Sequence, residues 1–154
     1  MPEDIKKNRV TLDSNVLISA IKENEKYSKD CKELLSLVGM SFLIYQPTVT
    51  ITELYNGIGR TKGEKTAKQA LKDFYNMVYH IEDYGSRSQC ERVAKTALKY
   101  RIYSTDAFYL QTSIDFKTVL ISLDKEDFID RIKGKDAKYH VWHVQDAINA
   151  EFYK

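Results

Sequence analysis

Apolar positions in this chain fall into two recurring patterns: short continuous runs, and stripes repeating at three and four residues. Their alternation predicts strands interleaved with helices. Arg9 to Leu12 reads as a short strand, followed at once by a helix start at Val16, Leu17, Ile18, Ala20 and Ile21. A second helix is expected from about Ser28 to Val38, with Cys31, Leu34, Leu35 and Val38 on one face. Phe42 to Tyr45 reads as a strand, and Pro47 with Thr48 as the start of a helix that stops near Gly57 or Gly59. Ala67, Ala70, Leu71, Phe74 and Val78 mark a fourth helix, leading into a short strand at Tyr79 to Ile81. Cys90, Val93, Ala94, Ala97 and Leu98 form the cleanest helical stripe, and Ser104 or Thr105 is placed to cap the next helix, with Ala107, Leu110 and Ile114. The run Thr118 to Leu123 is too apolar to be half-exposed, which suggests a central strand of a parallel sheet. Tyr139 to Val144 reads as a last strand near an edge. The pattern predicts an α/β three-layer sandwich around a mostly parallel central sheet.

Composition narrows this only slightly. A length of 154 residues suits one domain over 1–154, and 43% apolar with 30% charged residues describes an ordinary folded protein. Net charge is +2, so no overall basic field announces a polyanion partner. Acids sequestered around a metal would leave the remaining surface more basic than that total. Cys31 and Cys90 are too few for a disulfide framework, and both are expected to be buried free thiols. His80, His140 and His143 lack zinc-site spacing. The segment Met1 to Lys7 has no apolar core of a leader, and no run approaches the roughly 20 apolar residues of a membrane span. No membrane association and a cytoplasmic location are the expectation.

The chemistry-bearing positions are acids at the edges of apolar segments. Asp13 closes the first strand and Asp124 closes the Thr118–Leu123 run. In open parallel sheets, ligands bind beyond such strand ends. Carboxylates gathered there repel one another unless cations occupy the cluster. Each acid also has a plainer reading. Asp13, Ser14 and Asn15 are all good helix caps, so capping and metal ligation weigh equally for Asp13 alone, and ligation gains because one cap suffices. Asp106 falls in the first turn of its helix, where the dipole favours a negative charge. Glu53 lies opposite Ile51, Leu54, Tyr55 and Ile58, the position of a solvated face or, equally, of a cleft between helices. Asp127 could serve a second cation or a coordinated water, and Phe128 suits packing better than base stacking. Arg60, Lys62, Lys65 and Lys68 are candidate phosphate contacts, with a solvated helix surface as the alternative. For Tyr55, Tyr103 and Tyr109, packing outweighs stacking on bases.

Four segments in order carry a family resemblance: Thr11 to Leu17, Thr52 to Gly57, Asp106 with Ala107, and Ser122 to Phe128. Over about Arg9 to Trp142 the chain resembles the PIN-domain ribonucleases. The resemblance implies a PIN-like three-layer α/β/α sandwich. It places the family's acidic set on Asp13, Glu53, Asp106 and Asp124, with Asn15 and Ser122 orienting carboxylates or water. Many relatives end the last motif with a shorter acid-x-acid-Phe run, whereas two residues here separate Asp124 from Asp127.

The implied activity is hydrolysis of RNA phosphodiesters with Mg²⁺, or alternatively Mn²⁺, leaving 5′-phosphate and 3′-hydroxyl ends. Asp13, Asp106 and Asp124 would be primary ligands, with Glu53 and Asp127 further metal-binding candidates. A VapC-type toxin of a toxin–antitoxin pair is the leading expectation, with RNA as substrate, an antitoxin protein as partner and a homodimer as assembly. Alternatives are a PIN endonuclease of RNA processing or quality control without an antitoxin, and a non-catalytic RNA- or protein-binding PIN module. A phosphotransfer domain also places Asp after its first strand, but Asp13-Ser14-Asn15 matches it poorly.

Overall fold

The computed structural model describes residues 5–154. The leader reading rests in part on Met1 to Asp4, which lie outside the described residues. Five strands alternate with helices: β1 (Arg9–Leu12), α1 (Ser14–Lys22), α2 (Ser28–Ser36), β2 (Leu43–Pro47), α3 (Val49–Lys62), α4 (Glu64–Met77) and β3 (His80–Glu82). There follow α5 (Arg87–Tyr100), α6 (Ser104–Phe116), β4 (Val119–Ser122), a π-helical turn (Lys125–Ile129), α7 (Asp130–Lys135), β5 (Val141–His143) and α8 (Val144–Ala150). The sheet order is β3-β2-β1-β4-β5, and all four strand pairings are parallel. The chain therefore reverses its direction of winding between β1 and β4, at the centre of the sheet.

Alternation along the strands builds two cores. Val10, Leu12, Ile44, Val119 and Ile121 join α1–α4 and α8 on one face. Leu120 and Val141 join α5, α6 and α7 on the other. Helices covering both faces make the three-layer sandwich that the buried strand run predicts. Among the described residues no helix is long and apolar enough to cross a membrane.

Strands β1 and β2 separate towards their carboxyl ends. The β1–β2 register pairs Arg9 with Leu43 and Val10 with Ile44. Beyond it the buried Gln46 side chain stands in for a peptide group. Its Nε2 donates to Leu12 O at 2.8 Å, and its Oε1 accepts from Leu12 N at 2.7 Å. Leu12 thus stays hydrogen-bonded while Asp13 is released into the space above the sheet.

Several boundaries differ from expectation. Pro47 closes β2 instead of opening a helix, its position paired with Glu82 in the neighbouring strand. Helix α3 runs through Gly57 and Gly59 to Lys62. Gly57 is there for closeness, since a Cβ would meet Ile18 Cδ1 at 2.6 Å. The true break is Gly63, with φ of 86° between α3 and α4. Neither Ser104 nor Thr105 caps α6, which has Tyr103 at the N-cap position and no side-chain cap. The last strand is only three residues long, because the His143 ring nitrogen Nδ1 accepts from Gln145 N and starts α8. Cys31 is buried, but Cys90 is exposed, its thiol donating to Tyr84 O at 3.1 Å.

Candidate active site

Asp13 ends β1 and Asp124 follows β4, so both stand at the topological switch point of the sheet. Asp13 is buried, only 4% exposed. Its backbone occupies the N-cap position of α1, where Asp13 O accepts from Val16 N, yet its carboxylate makes no well-formed capping bond. Instead Oδ2 accepts from Ser122 Oγ at 2.7 Å and from Asn15 Nδ2 at 3.1 Å. The balance between cap and ligand is thereby tipped away from the cap, because the side chain is aimed across the sheet.

Ser122 and Asn15 tie the strand ends together. Ser122 Oγ also accepts from Asp124 N at 3.0 Å, and Asn15 Oδ1 accepts from Leu123 N at 3.2 Å. Asp124 Oδ1 accepts from Asp127 N at 3.0 Å, capping the π-helical turn that follows. Phe128 and Ile129 are buried and anchor that turn, so Phe128 is a packing residue.

Glu53 and Asp106 reach the same place from the helices. Both are half-buried. Glu53 is not on a solvated face: its Oε1 accepts from Tyr109 Oη at 2.6 Å. Tyr109 is itself fully buried in α6, one turn beyond Asp106. Sequence reasoning placed Tyr109 in packing and missed its role as a donor to Glu53. An aromatic three residues after Asp106 on the same helix was the available signal.

The charges of these acids act on one another. Burial pushes the Asp13 carboxyl up to about 7, the Ser122 hydroxyl and Asn15 N–H oppose this, and the charges of Glu53 and Asp124 add to it. Asp106 is also raised to about 7, by burial and then by Asp13, Asp124, Glu53 and Asp127. Burial and the Glu53 and Asp13 charges likewise hold the Tyr109 hydroxyl far above its ordinary range, so it remains a donor. Such a cluster of hard oxygen donors, partly desolvated and mutually repelling, fits a hard divalent cation. As the side chains stand, no group of three or more acidic, histidine or cysteine side chains among the described residues is drawn in tightly enough to hold a metal ion. Asp13, Glu53 and Asp124 each turn one oxygen towards a protein donor.

Asp127 is the peripheral member. Its Oδ1 accepts from Arg131 Nη2 at 2.8 Å, an i,i+4 ion pair, although its charge is still felt by Asp106. The cations proposed for RNA contact are not at the centre. Arg60, Lys62, Lys65 and Lys68 are all exposed, around the turn between α3 and α4. Lys62 acts on Glu23, and Lys68 pairs with Glu64 at 3.5 Å. Arg60 lies about 10 Å along α3 from Glu53.

A sequence-family model described as PIN domain matches residues 10–135. No curated protein matches the chain in sequence. Among solved structures, VapBC2 from Rickettsia felis, bound to a DNA fragment from its promoter, is similar. It is 14% identical with a TM-score of 0.63, over 88% of this chain and 98% of that one. VapBC-1 from nontypeable Haemophilus influenzae is 18% identical with a TM-score of 0.62, over 89% of this chain and 98% of that one. Mycobacterium tuberculosis VapC20, a sarcin-ricin loop cleaving toxin, is 11% identical with a TM-score of 0.64, over 76% of this chain and 91% of that one. At these identities the likeness is one of fold.

Proposed function

This chain belongs to the PIN-domain family, and we propose that it is a metal-dependent endoribonuclease acting as the toxin of a toxin–antitoxin pair. The observation that carries the reading is the position of the Asp13 carboxylate. It is buried at the end of the central strand, relieved of capping, and held by Ser122 and Asn15 beside Glu53, Asp106 and Asp124. A structural acid gains nothing from being desolvated among like charges. A site built to hold a divalent cation does.

Asp13, Asp106 and Asp124, with Glu53, would hold Mg²⁺ or Mn²⁺. The cation supplies Lewis acidity and positive charge for hydrolysis of a phosphodiester by water. Ser122 and Asn15 fix the orientation of Asp13, and the strand end fixes Asp124. Tyr109 holds Glu53 and keeps its own proton. Rotation of the Asp106 side chain, which extends from a helix rather than a strand end, would complete the ligand set. The products would carry 5′-phosphate and 3′-hydroxyl ends.

The toxin reading draws on the fold likeness to the R. felis and H. influenzae VapBC proteins and to the M. tuberculosis toxin. An antitoxin covering the acidic cleft, assembly as a homodimer and a cytoplasmic site of action belong to the same proposal. The test is incubation of the protein with structured RNAs and Mg²⁺ or Mn²⁺, with a chelator control. Cleavage that stops with chelator and with Asp13→Asn supports the proposal. Cleavage that survives both overturns it.

A further inference from the structure

Beside the acidic centre lies a surface of opposite sign. Tyr100, Arg101, Arg131, Gly134 and Lys135 line an open cavity of about 630 Å³ between the end of α5 and α7. Arg101 takes a left-handed conformation, φ 55°, at the C-cap of α5. That places its carbonyl where Arg131 Nη1 donates to it at 2.5 Å, while Arg131 Nη2 holds Asp127. Lys99 adds a further positive charge over the Tyr100 ring, 5.2 Å from its centroid. Asp127, the acid tied to Arg131, is also one whose charge reaches Asp106. The basic cavity and the acidic centre therefore adjoin through one ion pair.

Chain continuity makes the same connection. Arg101 faces the cavity, Tyr103 follows with 60% exposure, and Asp106 stands in the acidic centre. A cation, an exposed ring and a catalytic acid thus succeed one another along six residues. Nucleic-acid strands are gripped by such a series: guanidinium and ammonium groups on phosphates, an aromatic face under a base. A second cleft near β5 carries Asp130 and Asp146 in its own lining beside Lys125 and Lys133, whereas among the described residues the lining of this cavity holds no acid and only Arg131 is paired, with Asp127 outside it.

We infer that the Arg101, Arg131 and Lys135 cavity is the phosphate-binding groove for single-stranded RNA leading into the acidic centre. The inference rests on the nuclease reading of that centre. It moves the substrate grip away from Arg60, Lys62, Lys65 and Lys68 on the α3–α4 turn. Arg131 grips from a fixed position, because Asp127 and the Arg101 carbonyl already hold its guanidinium.

The test is fluorescence anisotropy with a short labelled single-stranded RNA in Mg²⁺, on an Asp13→Asn background that prevents cleavage. Arg101→Ala with Lys135→Ala is compared with Lys62→Ala with Lys65→Ala, a change of equal charge. The first pair should weaken binding about tenfold at low salt and reduce the slope of log K against log salt by about 1.4, two phosphate contacts at about 0.7 each. The second pair should leave both nearly unchanged. Equal effects from the two pairs, or none from the first, overturn the groove while RNA cleavage by the unmodified protein keeps the nuclease reading intact. Absence of both binding and cleavage overturns the two together.

Discussion

Ser122 Oγ donates to Asp13 Oδ2 at 2.7 Å, linking the ends of the two central strands through residues 109 positions apart. The same oxygen accepts from Asp124 N, so one hydroxyl orients both strand-end acids. Ser122→Ala removes the donor that holds Asp13 down and leaves the Asp124 N–H without its acceptor. We expect a loss of about 1–3 kcal/mol in urea unfolding. The Asp13 carboxyl should rise further, because the Ser122 hydroxyl lowers it, and Mn²⁺ affinity near neutrality should fall. Unchanged stability and metal affinity would show that the hydroxyl does not organise the site.

Stability without metal should fall as pH rises. Asp13 and Asp106 both stand at about 7 in the folded protein, against an ordinary value of 3.8. Between those values the folded chain keeps protons that the unfolded chain has released, so ionisation weakens the fold. In chelator the protein should be less stable at about pH 8 than at about pH 5, by on the order of 5 kcal/mol from two carboxyls each over about two pH units. Asp13→Asn should flatten the profile, and Mg²⁺ should restore stability at the higher pH by favouring the charged form. A wild-type profile that is flat in chelator would contradict the assigned burial of these charges.

Tyr109→Phe tests the hydroxyl that donates to Glu53 and also interacts with Thr50. The variant keeps the buried ring but loses the 2.6 Å donor to Glu53. Stability should drop by about 1–2 kcal/mol, because a charged acceptor loses its partner. If Glu53 must be oriented for turnover, kcat should fall more than KM rises. An unaltered kcat in steady-state RNA cleavage would reduce Tyr109 to a packing residue.

Gln46→Leu tests the separation of β1 from β2. The leucine fills a similar volume but leaves Leu12 N and O without the amide that satisfies both. A loss of about 2–4 kcal/mol is expected from two unpaired buried groups. Denaturant titration would read it directly, and a neutral substitution would mean that β1 closes onto β2 unaided.

The legible parts of the chain were those fixed by neighbouring residues. Val119 to Ser122 is buried at every position, and its continuous apolar run announces a covered strand with an acid at its end. Asp13 was placed in the same way. What could not be read depended on distant partners. Gly57 looked like a helix stop, but Ile18 on α1 makes it a point of close approach. For Glu53 a solvated face and a cleft stood equally open, because its partner, Tyr109, is 56 positions away. Arg60, Lys62, Lys65 and Lys68 drew attention because they follow the Glu53 segment in the chain, whereas Arg101 and Arg131 meet only after α5 and α7 are packed. His143 interrupts a strand pattern by capping with its ring, an uncommon use that composition does not signal.

The most direct measurement is an anomalous difference map from crystals of the protein soaked in Mn²⁺, alongside the same experiment on Asp13→Asn. A peak is expected within coordination distance of Asp13 and at least one of Asp106, Asp124 and Glu53, absent or strongly weakened in the variant. Manganese binding only elsewhere, or a peak unchanged by the substitution, would contradict it.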